Sequence, residues 1–304
     1  MRLRFTRLDA WLLLMTFFWG SNFTVIKAAL REMPGPVFNG LRMVLASLVF
    51  LALISWRDGL VSSVRAIPRR DWLPIVALSV LGHALYQYFF IWGVARTSAS
   101  NSALIFGCTP ITVSLLSAWL GHERPGWTRW AGTVLSLTGI YFVVGQGARQ
   151  GTSSLVGDGL IFLAMLCWAG YTVGTKPLLA RYSPVFITGL TMAIGTVVYA
   201  PGALLWLRGV DPGQFSAPAW AGIVYSAIFS LVAAYVIWYT AVQTLGGGHT
   251  SMYSNIVPMV AMTVAAIVLG EPLTATKLAG AAAILSGVAL TRLERTVIAT
   301  PTES

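Results

Sequence analysis

Arg42 interrupts an apolar run, and Asn39 stands three residues before it. On a helix that spacing puts both side chains on one face. A guanidinium fork beside an amide is a cradle for a carboxylate. The uncharged stretch from Met43 to Trp56 is shorter than the roughly 20 residues a membrane-spanning helix needs, which draws Arg42 into the helix itself. An arginine there must face a partner or a water-filled cavity. The plainer reading has it snorkelling to headgroups or bonding backbone carbonyls between helices.

Other polar and aromatic residues fall within apolar stretches: Trp19, Asn22, Tyr86, Gln87, Asn101, Trp168, Tyr171, Tyr235, Trp238, His249, Tyr253 and Asn255. With Asn39 and Arg42 they are the candidates for binding a small solute. Interhelical hydrogen bonds and packing are the alternative for each, and about half are expected to line a path. Lys27 and Lys176 lie near helix ends, where snorkelling or a gate is open to both. Pro110 and Pro258 read as sitting inside two helices, each freeing a carbonyl near Phe106 and Ser254 and acting as hinge or fixed kink. Glu123 and Glu271 precede Pro125 and Pro272, and read as caps on the helices that those prolines open.

Several chemistries are missing. His83, His122 and His249 are scattered, and no paired acids or histidines share a helix face, so neither a metal nor an intramembrane lipid-modifying enzyme has support. Cys108 and Cys167 each fall in mid-span, without a disulfide framework. No Walker-type loop is present, which removes ATP as the direct energy source, and no cofactor is implied. All ten acidic residues read as lying at span ends or in loops, leaving no central carboxylate for a cationic drug. A phosphate-ester carrier would want more than one buried cation, and a purely structural scaffold would have no central polar cavity.

The elements that must position these residues follow from composition. The 304 residues are 56% hydrophobic and 10% charged, with mean hydropathy +0.74, too little polar surface to coat a soluble globule. Charges bracket nine uncharged stretches. The one from Pro212 to Gly270 is about twice the length of a span and carries Gly246-Gly247-Gly248 as a turn, so the expectation is ten spans. With both termini in the cytoplasm, twelve arginines fall inside against five cations outside, so the net charge of +10 is a topology signal and not a nucleic-acid footprint. Arg2, Arg4 and Arg7 before an apolar run also suit a signal peptide, but that run has a repeat partner deep in the chain.

The chain repeats itself. Trp19 and Lys27 return as Trp168 and Lys176 at an offset of 149, and Gly40-Leu41-Arg42-Met43 returns as Gly189-Leu190-Thr191-Met192. Trp72 with Trp220, Pro110 with Pro258, Glu123 with Glu271, Gly132 with Gly280 and Gly139 with Gly287 hold an offset of 148. Five helices per copy is an odd number, so the second copy enters the membrane from the opposite side, the geometry of alternating access. The expected division is residues 1–148 for the first repeat, 149–156 for an external linker, 157–295 for the inverted second repeat and 296–304 for a cytoplasmic tail.

Trp19-Gly-Ser-Asn-Phe-Thr-Val-Ile-Lys27, then Arg42, Thr97-Ser-Ala-Ser-Asn-Ser-Ala-Leu-Ile105 with Pro110, Leu120-Gly-His-Glu123, and Gly132 with Gly139, resembles the EamA type of the drug/metabolite transporter superfamily. The second half repeats the pattern through Trp168, Lys176, Pro258, Leu269-Gly-Glu271, Gly280 and Gly287, but has Thr191 in place of Arg42. The resemblance, which extends to the aromatic amino-acid exporter branch, implies an all-α integral membrane protein of the bacterial inner membrane. It would be a secondary exporter of small metabolites, amino acids foremost, and not an enzyme, with membrane lipids and its solute as partners. The pattern sets no oligomeric state.

Overall fold

The computed structural model describes residues 6–119, 126–149, 154–245, 250 and 253–293. Among them there is no strand. The helices are α1 (Arg7–Ala29), α2 (Gly35–Arg57), the short α3 (Leu60–Arg65), α4 (Arg69–Arg96), α5 (Ala99–Phe106), α6 (Thr109–Trp119), α7 (Trp127–Arg149), α8 (Leu155–Leu179) and α9 (Pro184–Leu207). They continue with α10, which runs from Ala217 to Leu245, then α11 (Ile256–Leu269) and α12 (Ala275–Leu293). Helices α1, α2, α4, α8, α9 and α10 are each long and apolar enough to cross a membrane, and shorter apolar stretches occupy Trp130–Gly145, Ile256–Leu269 and Ala275–Leu290. Large apolar side chains such as Trp56, Trp119 and Trp127 are more than four-fifths exposed, as suits surfaces that meet lipid. The Gly246–Gly248 turn and Glu123 lie outside the described residues.

Local chemistry sets the ends of the helices. Thr6 caps α1 in a capping box, its hydroxyl accepting from the Asp9 amide while the Asp9 carboxylate accepts from the Thr6 amide at 2.7 Å. Two helices carry a wide π turn, Val80–Leu85 within α4 and Ser226–Ala233 within α10. These turns hold corresponding places in the two halves, and each delivers a tyrosine just after it, Tyr86 and Tyr235.

Pro110 and Pro258 do not kink continuous helices. Each stands in the first turn of a new one, α6 and α11, where a missing N–H costs nothing. The Phe106 carbonyl takes the Thr109 hydroxyl at 2.6 Å, and the Ser254 carbonyl takes the Val257 amide at 3.2 Å. The carbonyls are therefore satisfied locally, and the chain breaks before each proline.

Sequence-equivalent residues meet. Ser47 and Thr196, 149 apart, share a hydrogen bond of 2.8 Å between α2 and α9. A Cβ on Gly139 of α7 would stand 2.7 Å from the Gly280 carbonyl oxygen of α12, and one on Gly287 would stand 2.4 Å from that of Gly132. Because Gly132 corresponds to Gly280 and Gly139 to Gly287, this contact is reciprocal, like the two-fold interface of a homodimer. Helices α1 and α8 run in opposite directions: the end of α1 (Lys27) and the start of α8 (Ser154) both bond the last residues of α4. We call the face where α1 starts proximal and the other distal.

Candidate functional site

A cavity of about 340 Å³ lies within the bundle, a size suited to a small solute. Its walls come from Trp19, Asn22 and Phe23 of α1, Arg42 of α2, and Tyr86, Gln87 and Phe90 of α4. The chain break adds Phe106, Gly107, Thr109, Pro110 and Val113, and α8 adds Trp168, Thr172, Lys176 and Leu179. Helix α10 gives Ser230, Leu231, Tyr235, Trp238, Tyr239 and Val242, and the opening of α11 gives Ser254, Val257 and Pro258. Both breaks thus border the cavity, where irregular backbone is tolerated at membrane depth.

Arg42 is 1% exposed and has no acidic partner among the described residues. Its Nε donates to Asn39 Oδ1 at 2.7 Å and its Nη2 to Gln87 Oε1 at 2.6 Å. The guanidinium lies 5.8 Å from the ring centres of both Phe38 and Phe90. Among the lining residues three buried side-chain groups have no partner: Gln87 Nε2, Trp238 Nε1 and the Tyr239 hydroxyl. Trp19 Nε1 is used: it donates at 3.1 Å to the Ser230 carbonyl, in the wide turn of α10. Part of the wall is an aromatic cluster in which Trp168 lies 5.4 Å from Tyr86 and 5.1 Å from Tyr235, centre to centre.

The two ends of the cavity differ. At the distal face, the Lys27 ammonium donates to the Val94 and Ala95 carbonyls at 2.9 and 3.1 Å, holding the C-terminal end of α4. Glu271 accepts from the Ala99 and Ser100 amides at 2.8 and 3.1 Å, and its carboxylate lies 3.7 Å from Lys277 Nζ. It therefore caps α5, in the other half of the chain, and not the helix that follows it, as its position before Pro272 had suggested. Asp158 accepts from the Thr97 hydroxyl at 2.5 Å. This acid is only 4% exposed, one turn into α8. The junction of α4 and α5 is thus clasped from three directions. Toward the proximal face the walls run down α8 to Leu179 and down α10 to Val242, and Lys176 is exposed there.

The structure gathers Trp19, Asn22, Arg42, Tyr86, Gln87, Trp168, Tyr235 and Trp238 around this cavity, with Pro110, Pro258 and Lys176. Others expected there lie elsewhere. Asn39 supports Arg42 from behind the wall. Tyr171 is fully buried and bonds Thr191 at 2.9 Å, next to His83, whose Nε2 is 3.1 Å from the same hydroxyl. Asn101 sits in the capped first turn of α5, and Tyr253 donates to Asp9 at 2.6 Å. Asn255 precedes α11 without lining the cavity, and Lys27 is at the distal clasp. His249 lies outside the described residues. Phe23, Phe90, Phe106 and Tyr239 also line the cavity, unmarked by the sequence because an apolar ring in an apolar helix looks like packing; Tyr239, one turn after Tyr235, carried the only signal.

An all-helical arrangement with helices fit to span a membrane and broken segments beside an internal cavity suits a membrane carrier. The chain belongs to the EamA-like transporter family, whose pattern matches residues 6–145 and again 155–293. It is 32% identical over 284 residues, 92% of each chain, to a "Probable terminal-alkyne amino-acid exporter" of Streptantibioticus cattleyicolor. It is 25% identical to the "Uncharacterized transporter YetK" of Bacillus subtilis, covering 91% of this chain and 84% of that one. A solved crystal structure, 18% identical, superposes with a TM-score of 0.67 over 94% of this chain and 96% of its own, which shows the shared fold.

Proposed function

We propose that this transporter exports small metabolites, amino acids foremost, across a bacterial inner membrane by alternating access. In this reading ten spans form two inverted repeats, residues 1–148 and 157–295, joined by an external linker at 149–156, with both termini and the tail 296–304 cytoplasmic. The proximal face is then cytoplasmic.

The difference between Lys27 and Lys176 supports the reading best. They are equivalent by sequence, yet Lys27 is bonded to the end of α4 and Lys176 stands exposed beside the cavity. Val242 of α10 is the counterpart of Val94 at the offset of 148. In the alternate state Lys176 takes the carbonyls around Val242 as Lys27 releases those around Val94, so the open end passes from one face to the other.

Purified protein in proteoliposomes loaded with labelled amino acids tests the assignment. Efflux of at least one amino acid is expected. Flux of another solute class with none for any amino acid would overturn the substrate reading.

A further inference from the structure

We propose that the cavity selects its cargo by a carboxylate held in a cradle of hydrogen-bond donors centred on Gln87 and Arg42, and that the cargo's ammonium is not required. This rests on the reading of the chain as an amino-acid carrier and sharpens what that carrier recognises.

Arginine can only donate. The atom of Gln87 that meets Arg42 Nη2 at 2.6 Å is therefore its carbonyl oxygen, and its NH₂ group is turned the other way. Gln87 is wholly buried and lines the cavity, and that nitrogen has no partner. An unpaired buried donor is costly; this one is covered in the present state, and a carboxylate would satisfy it as the side chains of the wall part around the cargo. Trp238 Nε1, 7% exposed by residue and equally unpaired, offers another donor from the same wall. Asn39 holds Arg42 Nε at 2.7 Å, which fixes the plane of the fork.

Acceptors are fewer: the Tyr239 hydroxyl is unpaired and can accept as well as donate, but it carries no charge to fix an ammonium. No carboxylate is among the described lining residues. The Asn22 carbonyl oxygen already takes the Ser226 hydroxyl at 2.5 Å, and the Ser230 carbonyl takes Trp19. An ammonium brought into the cavity meets ring faces, which tolerate a cation without fixing one. The chemistry on offer suits an anionic head on an apolar body.

The test is direct binding to the purified full-length protein in detergent, followed by its tryptophan fluorescence. The probes are phenylalanine, 3-phenylpropanoate (carboxylate without ammonium), and phenylalaninamide and phenethylamine (ammonium without carboxylate). The first two are expected to bind within about threefold of each other and the last two at least about tenfold more weakly, the scale of a lost charge-assisted hydrogen bond. Phenethylamine or the amide binding as tightly as phenylalanine overturns the cradle, as does absence of binding by 3-phenylpropanoate. Gln87→Glu keeps the shape, pairs with Arg42 and turns the donor into an acceptor. It should weaken 3-phenylpropanoate by at least about tenfold without lowering the melting temperature; unchanged affinity overturns the proposal. Binding asks nothing of transport. Carboxylate binding with no amino-acid flux in proteoliposomes removes the amino-acid reading and keeps the cradle, and flux without carboxylate preference removes the cradle alone.

Discussion

Trp19 and Trp168 occupy the same place in the two halves of the chain and meet edge to face, ring centres 6.1 Å apart and planes at 88°. Sequence-equivalent rings from the two halves thus share one part of the cavity wall. Symmetry of position is not symmetry of bonding, because Trp19 also donates to the Ser230 carbonyl. Trp19→Phe strands that carbonyl and should cost about 1–3 kcal/mol in stability. Trp168→Phe should cost less. Thermal unfolding of the two variants in one detergent compares them directly, and equal melting temperatures would deny the hydrogen bond its role.

The two lysines should act in opposite directions. Lys27→Gln weakens the distal clasp by about 1–2 kcal/mol, the upper range for a partly buried cation at a helix C-terminus, which shifts the population of the closed end by about five- to thirtyfold. Lys176→Gln removes only a contact made in the other state, leaving the distal end closed. Spin labels at Arg31 and Arg96, both exposed, span that clasp. Their distance distribution should lengthen in the first variant only; no change in Lys27→Gln would dismiss the clasp as a gate.

Acid should loosen one distal contact outside the spans. Glu32 accepts from the Ser216 amide at 3.0 Å at the start of α10, and hydrogen bonding with Ser216 holds its carboxyl below the usual range. A depressed carboxyl contributes stability above its unfolded value of about 4.3, and that contribution fades as pH falls toward the folded value. Hydrogen exchange at residues 216–220, corrected for intrinsic rates, should therefore quicken as pH drops from about 5 to about 3. Glu32→Gln should flatten this dependence, and an equally steep profile in that variant would point to another group.

The α7–α12 contact predicts a sharp positional effect. Gly287→Ala puts a Cβ 2.3 Å from Ser136 Oγ and 2.4 Å from a backbone oxygen, and should destabilise by about 1–3 kcal/mol. Gly145→Ala, on the same helix pair with nothing within 4 Å, should be neutral. A similar melting temperature for both would mean that the helices adjust freely.

The helical architecture was legible because charges are costly in hydrocarbon and so mark where apolar segments end. Arg42 was legible for the same reason. What could not be read was which way an uncharged residue faces: in a helix apolar on every side, periodicity does not separate lipid from cavity, so Asn39, Asn101 and Tyr171 looked like Trp19 and Gln87. The wide turns at Val80–Leu85 and Ser226–Ala233 shift the register by a residue and leave no compositional trace. Glu271 was read as a local cap because sequence proximity is visible and the approach of α5, 172 residues away, is not.

The distal clasp has a further property. Lys27 closes it by gripping backbone oxygens, which every residue type possesses. Substitution at Val94 or Ala95 therefore leaves the acceptor in place. For this contact only the lysine's side is open to mutation, so the strength of the Lys27 grip is set by one residue and is insensitive to drift in the side chains of the helix it holds.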